Sequence, residues 1–376
     1  MPIPTRIILF CCAFVISFFA IPLVRRIALR NGFTDLPNAK YKVHEVAVPR
    51  LGGTAIFSAL VVVSLAGARI LGHEKHLDLQ PLIQILAIAG LIFLIGVYDD
   101  LKGLNAWGKF FAQLIVITIF WRMGFRLQVV HFPWFGAITI SPTLSFALTT
   151  LGIAGLINAM NMIDGIDELA AGVGVIALLI LSAMFSHTKD SVTILLAIVL
   201  GGATLGFFFH NLYPAQIFMG DSGSMLIGFV LGGVSLEHFN NASDNQTFWL
   251  PFLVLAMPIV ELLTTIVRRL AVQQSPIQAD LEHIHHKLLA IGLTSRWASA
   301  LLHGVTFLFG LVSVILMKKR SVLNVFIVCV CYVLSFGGYI LLTRIYRLRC
   351  YSTRSVMPPL LDDENYEKTS RHTDLR

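Results

Sequence analysis

The residues able to do chemistry fall into five short stretches. Asp99 and Asp100 stand side by side at the end of an apolar run. Neighbouring carboxylates repel, so one keeps its proton unless a cation or basic group stands between them. The plain alternative is a solvated helix terminus. Asn158, Asn161, Asp164 and Asp167 recur every three residues with apolar residues between. On a helix this spacing makes a slowly drifting polar stripe. Its amide and carboxylate oxygens suit Mg²⁺, a hard cation that takes one or two carboxylates and leaves the rest of its shell to substrate phosphates. Interhelical hydrogen bonding is the alternative, although two carboxylates are expensive glue inside a bundle.

Asp221 lies between Gly220 and Gly223, directly ahead of another apolar run. Glycines admit close approach of a ligand, and the free N–H groups of a helix start attract an anion. Asp221 is then placed to hold a metal bound to that anion; a flexible turn with a helix cap is the plainer reading. His283, His285, His286 and Lys287 form an anion-binding or metal-binding patch. On a helix His283 and His286 share a face while His285 points away, so zinc lacks a clear fourth ligand. A solvated amphipathic segment on the membrane surface is the third option. Lys42, His44 and the Gly52-Gly53 pair precede the second apolar run, where two glycines permit close helix packing or backbone approach to a phosphate. Together these stretches are the equipment for binding a diphosphate through Mg²⁺ while a second phosphate attacks from the lipid side.

The elements that must position these groups are membrane helices. Hydrophobic residues make up 56% of the 376 residues and charged residues 13%, against roughly 45–50% and 25% in soluble proteins. A soluble enzyme, a disordered chain, a coiled coil and a single anchor with a soluble head are excluded. Apolar runs at about 20 residues per span predict an all-α polytopic bundle of about eleven transmembrane helices. Open sheets are excluded within lipid, where each unpaired backbone group costs several kcal/mol. One span is expected over residues 248–267. Most of the 28 Lys and Arg fall on the side reached after the first span. This bias predicts an outside N-terminus and a cytoplasmic C-terminus. Fifteen of the 21 acids collect on that same cytoplasmic side, ten of them in loops 25–52, 99–109, 157–169, 210–223 and 268–297 and five in the tail. Residues 127–140 read as a small β-hairpin on the outer face. Residues 1–350 form the membrane domain and 351–376 a polar tail. The five cysteines show no metal or disulfide spacing. Basic residues confined to short loops give a net charge of +7 without suggesting nucleic acid as a partner.

The ordered set YDDLKG, NAMNMIDGIDELAAG, FMGDSGS and ADLEHIHHKL, with HEVAVPRLGG ahead, resembles the polyprenyl-phosphate N-acetylhexosamine-1-phosphate transferase family over about residues 20–345. The resemblance implies ten or eleven transmembrane helices with an active site on the cytoplasmic face of a bacterial inner membrane. It implies transfer of a sugar 1-phosphate from a UDP-N-acetylhexosamine to undecaprenyl phosphate with release of UMP. Mg²⁺ is the implied cofactor, with Mn²⁺ as the substitute, and the assembly admits a homodimer. The His-x-His-His pattern preceded by Asp280 resembles the branch that uses UDP-GlcNAc to begin O-antigen, common-antigen or teichoic-acid linkage synthesis. The lysine-rich GTPTMGG segment of the phospho-MurNAc-pentapeptide branch is absent.

Carried over by position, Asp221 is the main Mg²⁺ ligand with Asn161 beside the metal. Asp99 and Asp100 face the lipid phosphate, one of them as its base. His283, His285 and His286 contact the diphosphate, and Asp164 and Asp167 help hold the nucleotide sugar. Lys42, His44, Asn158 and Gly220 complete the implied substrate-binding set. Two positions depart from the family pattern: Glu168 replaces a glycine, and Glu261 stands where aspartate is common. Direct attack by the lipid phosphate is expected over a covalent phospho-enzyme. An ion-coupled transporter, the alternative from another class, is disfavoured because the sequence shows no repeated halves and its acids gather at one face.

Overall fold

The computed structural model describes residues 1–35, 48–72, 79–132, 134–185, 191–241, 247–273, 282–318 and 323–353. Lys42, His44, Asp280 and residues 354–376 lie outside them. The described residues fold into a helical bundle of α1 (Ile3–Arg30), α2 (Gly52–Gly72), α3 (Leu79–Lys102), α4 (Ala106–Arg122), α5 (Pro142–Ile163), α6 (Leu169–Met184), α7 (Ser191–Asn211), α8 (Gly220–Asn241), α9 (Leu250–Val254), α10 (Ala256–Ala271), α11 (Ile284–Ala290), α12 (Ser295–Lys318) and α13 (Leu323–Thr353). Among the described residues, seven helices are long and apolar enough to cross a membrane: α1, α2, α3, α5, α7, α12 and α13. α6 is shorter and equally apolar. Their outward faces keep large apolar side chains exposed, such as Phe19 and Leu23 on α1 and Val333 and Leu334 on α13. In water such a surface would aggregate; in a bilayer it is solvated.

The bundle is centred on α7, which packs against α1, α2, α6 and α8. Lipid tails are as apolar as leucine, so helices associate through close packing and hydrogen bonds. Gly202 and Gly206 supply the closeness, because a Cβ at either would lie 2.3 Å from the Phe10 carbonyl oxygen or 2.5 Å from that of Phe14 on α1. A hydrogen bond follows from the same seam. Pro22 inside α1 has no N–H for the carbonyl of Phe18, four residues earlier. His210 at the end of α7 places Nε2 3.1 Å from that carbonyl and satisfies it.

Caps mark where the chain turns. The Asn105 side chain accepts from Gly108 N at 2.6 Å and starts α4; Ser141 does the same for α5, followed by Pro142 at the first helical position. Between these helices the hairpin expected over residues 127–140 is present. Its strands β3 (Val129–Phe132) and β4 (Gly136–Thr139) pair antiparallel with Val129 opposite Thr139. Trp249 Nε1 donates to the His131 carbonyl at 3.0 Å and ties the hairpin to the residue before α9. The hairpin lies at the far end of α4 and α5 from the aspartates.

One expected element is corrected. The run over residues 248–267 is two helices, α9 and α10, broken at Leu255. Pro258 cannot donate to the Val254 carbonyl, so a continuous helix is lost there. α13 also runs to Thr353, slightly past the expected start of the tail at 351.

Candidate active site

Three helix ends meet at one end of the bundle: the C-termini of α3 and α5 and the N-terminus of α8. α8 begins at Gly220, whose φ of +74° is a left-handed conformation. A Cβ there would also fall 2.6 Å from Asp100 Oδ2, so position 220 requires glycine on both counts. The Asp100 carboxylate caps α8, accepting from Asp221 N at 2.8 Å and Ser222 N at 3.1 Å. Two of the orphan amides of a helix start are thereby satisfied.

Asp221 then points its side chain at α4 and α5. Oδ1 accepts from Asn161 Nδ2 at 2.8 Å, and Oδ2 lies 2.5 Å from Lys109 Nζ. The same ammonium lies 3.0 Å from Asp99 Oδ2 and 3.4 Å from Asn161 Oδ1. Asp99 Oδ1 accepts from Leu104 N. Oxygens of Asp99, Asp221 and Asn161 thus converge on one cation. The adjacent aspartates do different work: Asp100 builds the backbone, and Asp99 faces the charge centre. Lys109 was not legible as a site residue, yet it left a signal. A cation in the first turn of a helix opposes the helix dipole and wants an anion nearby.

Among the described residues, no group of three or more His, Cys, Asp or Glu side chains is arranged to hold a metal by itself. A donor set of two carboxylates and one amide oxygen fits Mg²⁺, which leaves several positions for phosphates and water. It does not fit a closed structural site.

The Gly52-Gly53 pair acts in packing. Phe218 N donates to Pro49 O, Gly52 N to Phe218 O and Gly53 N to Met219 O, which straps residues 49–53 along the segment leading into α8. A Cβ on Gly53 would lie 2.3 Å from Gly223 N. Of the two readings open from sequence, close packing is the one present. Arg50 pairs with Asp35 at 2.5 Å next to this strap.

The polar stripe from 158 to 167 is helical only in its first half. α5 ends at Ile163, and Asp164 is its C-cap. Asn158 lies deeper, donating to Gln113 Oε1 at 2.9 Å and to Ala154 O. Asp164, just past the span, is held well above the ordinary carboxylate range by burial; Asp221, Asp100 and Asp167 push the same way and Arg50 opposes them. Asp167 accepts from Ala215 N at 2.9 Å, tying this turn to the loop before α8. Glu168 has φ +63°. Its backbone N–H donates to Asn211 Oδ1, and its carboxylate receives Tyr213 N at 3.4 Å. The helical stripe fails because α5 stops at Ile163; the left-handed backbone at 168, just ahead of α6, is a conformation that suits glycine.

The histidines form a cluster, in contrast to the expectation that His285 points away. His283 is the N-cap of α11, so the helix starts after it. Its ring lies 5.6 Å from that of His285 and 6.2 Å from that of His286, and the last two are 4.2 Å apart. His285 is fully buried, with neither ring nitrogen hydrogen-bonded. Burial holds it well below the ordinary histidine range, and His286 and His283 add to the effect. Its Nε2 abuts Gly165, where a Cβ would be only 2.2 Å away. The cluster therefore sits against the turn that carries Asp164. Lys287 is turned away from it and braces α11 on α13 through Tyr339 Oη at 2.7 Å and Thr343 Oγ1 at 3.1 Å.

With this geometry in view, the relatives of the chain are informative. Residues 82–238, which include Asp99, Lys109, Asn161 and Asp221, match glycosyl transferase family 4. A Bacillus subtilis protein named probable undecaprenyl-phosphate N-acetylglucosaminyl 1-phosphate transferase is 32% identical over 327 residues, covering 86% of this chain and 89% of its own. A Mycolicibacterium smegmatis decaprenyl-phosphate N-acetylglucosaminephosphotransferase is 35% identical over 77% of both chains. The undecaprenyl-phosphate alpha-N-acetylglucosaminyl 1-phosphate transferase of Yersinia pestis is 26% identical, over 80% of this chain and 82% of its own. The chain belongs to glycosyl transferase family 4.

Proposed function

We propose that this protein transfers N-acetylglucosamine 1-phosphate from UDP-GlcNAc to a membrane polyprenyl phosphate, with undecaprenyl phosphate as the acceptor. The observation that carries the reading is the convergence of Asp221, Asp99 and Asn161 on the Lys109 ammonium at one end of a membrane bundle. The names of the relatives supply the sugar and the lipid class.

In this reading an oxygen of the acceptor phosphate attacks the sugar-linked phosphorus of UDP-GlcNAc. The bond from that phosphorus to the bridging oxygen breaks, and UMP leaves with the oxygen and the bonding pair. One phosphoanhydride is lost and one is formed, so catalysis rests on positioning and charge. Lys109 balances the charge gathered at the phosphates. Asp99 takes any remaining proton from the acceptor, because Asp100 is committed to the α8 cap. Asp221, Asp99 and Asn161 would hold Mg²⁺ or Mn²⁺, whose part is to neutralise diphosphate charge. His283 and His286 lie at the diphosphate, while Asp164 and the turn to Asp167 border the nucleotide sugar. Direct attack is favoured over a phospho-enzyme, because a polyprenyl phosphate is itself a competent nucleophile.

The eleven crossings then correspond to α1 through α8, the α9–α10 pair, α12 and α13, with α11 on the cytoplasmic surface. Loop charge supports a periplasmic N-terminus and hairpin. The product, a lipid-linked diphosphate sugar, is the starting point for an envelope glycan such as O-antigen. The test is an assay of purified protein with undecaprenyl phosphate, Mg²⁺ and a panel of UDP-sugars, scoring lipid product by mass. UDP-GlcNAc is the expected donor; a preference for UDP-MurNAc-pentapeptide overturns the assignment of sugar, and no lipid product from any donor overturns the reaction.

A further inference from the structure

Glu261 is an acid in the midst of the apolar helix α10, and it is only 1% exposed. A buried carboxylate needs partners that offset its lost hydration. Among the described residues its side chain finds them in one place, the start of the histidine segment. Oε1 lies 2.7 Å from His283 Nδ1, and Oε2 accepts from Ile284 N at 3.1 Å. One carboxylate thus grips both the ring of His283 and the first amide of α11.

This grip decides which edge of the ring is left for other work. With Nδ1–H spent on Glu261, Nε2 is the nitrogen left over, and in the imidazolium form it donates to a phosphate oxygen. Among the described residues Nε2 of His283 has no hydrogen-bond partner. A histidine whose far nitrogen is held by a carboxylate is fixed in both tautomer and ring orientation. Lys287 does not compete for the acid, since its ammonium is taken up by Tyr339 and Thr343.

We propose that Glu261 is a positioning residue for phospho-sugar transfer: it acts through His283, fixing the imidazole so that Nε2 faces the diphosphate of the donor. The inference rests on the reaction proposed above and adds to it the group that orients one of its histidines. A helix cap that merely starts α11 would make the same contact with Ile284, so the test must separate the two roles.

The experiment is a double-mutant cycle on kcat/KM for UDP-GlcNAc with Glu261→Gln, His283→Ala and the pair, together with Glu261→Asp. Glutamine keeps the shape and can still accept from Ile284 N, but its amide presents the wrong polarity to the ring. The expected loss for Glu261→Gln is about 10- to 100-fold, the range for removing a group that orients a working histidine. In the His283→Ala background the same change should cost less than about 2-fold, because the ring it acts on is gone. Glu261→Asp should retain more activity than Glu261→Gln. Thermal unfolding of each variant in detergent shows whether α11 is still docked. Equal losses from Glu261→Gln in both backgrounds, or aspartate no better than glutamine, overturn the proposal and leave Glu261 as a cap. Absence of any transfer by the wild-type protein is a different failure, which removes the underlying reaction and this inference with it.

Discussion

Lys109 Nζ lies 2.5 Å from Asp221 Oδ2, with Asp99 Oδ2 on its other side at 3.0 Å. A lysine from the first turn of one helix thus joins acids from the end of a second and the start of a third. It occupies the same oxygens that would hold a divalent cation. Lys109→Met should lower turnover by roughly 10²-fold, the scale for losing one preorganised charge at a transferring phosphoryl group. The same change removes a competitor for Asp221, so Mn²⁺ binding to the substrate-free protein, read by paramagnetic resonance, should become tighter. Weaker Mn²⁺ binding would show that Lys109 supports the cation site and does not compete for it.

Asp100 and Asp99 are adjacent in sequence and should separate in experiment. Asp100→Asn leaves one acceptor for two helix-start amides and should destabilise the protein by about 1 kcal/mol, as expected for a damaged N-cap. Asp99→Asn keeps an oxygen for Leu104 N and gives up the Lys109 pair together with the repulsion from Asp221, so it should change stability by less than about 0.5 kcal/mol and act on turnover. Thermal unfolding of both variants in one detergent decides the matter. Equal unfolding temperatures would contradict the division of labour.

Glu168 holds a left-handed backbone at φ +63° and receives only a long 3.4 Å contact from Tyr213 N. Glu168→Gly should therefore stabilise the protein by up to about 1 kcal/mol, the typical relief of a non-glycine residue in that region. Glu168→Ala, which keeps the strain and loses the contact, should not. Unfolding in a denaturant series on both variants measures the difference.

His285 supplies a pH dependence. Its folded pKa is lowered by burial, with His286 and His283 adding to the effect. The unfolded chain therefore binds a proton more readily, and stability falls as pH drops through the ordinary histidine value of about 6.5. Stability from this source is fully present above that value. The unfolding temperature should decline between about pH 7.5 and 5.5, and His285→Gln should flatten part of the decline. An unchanged slope in the variant would assign the effect to other groups.

The sequence was legible where composition and periodicity carry the signal. Apolar runs located the long helices, and acids and histidines confined to a few loops pointed to the candidate site. It was less legible where one residue changes the local backbone. Pro258 splits an apolar run that hydropathy alone reads as continuous. The chain leaves α5 at Asp164, directly before Gly165, and so breaks a three-residue polar period that looks helical. Partnerships across the chain were out of reach for a different reason. Lys109 and Asp221, or Glu261 and His283, are paired by how helices pack, and no spacing within one segment reports that. The solitary acid inside an apolar run was the one clue that Glu261 needed a partner.

The most direct test of the central claim is the product balance of the wild-type protein and Asp221→Asn, with UDP-GlcNAc, undecaprenyl phosphate and Mg²⁺. Asparagine preserves the shape at the start of α8 and removes the charge on which Lys109 and Asn161 converge. The wild-type protein should release UMP and form lipid-linked diphosphate GlcNAc in equal amounts, and Asp221→Asn should be slower by roughly 10²-fold or more. Release of UDP in place of UMP, or an Asp221→Asn variant that turns over like wild type, would contradict this account.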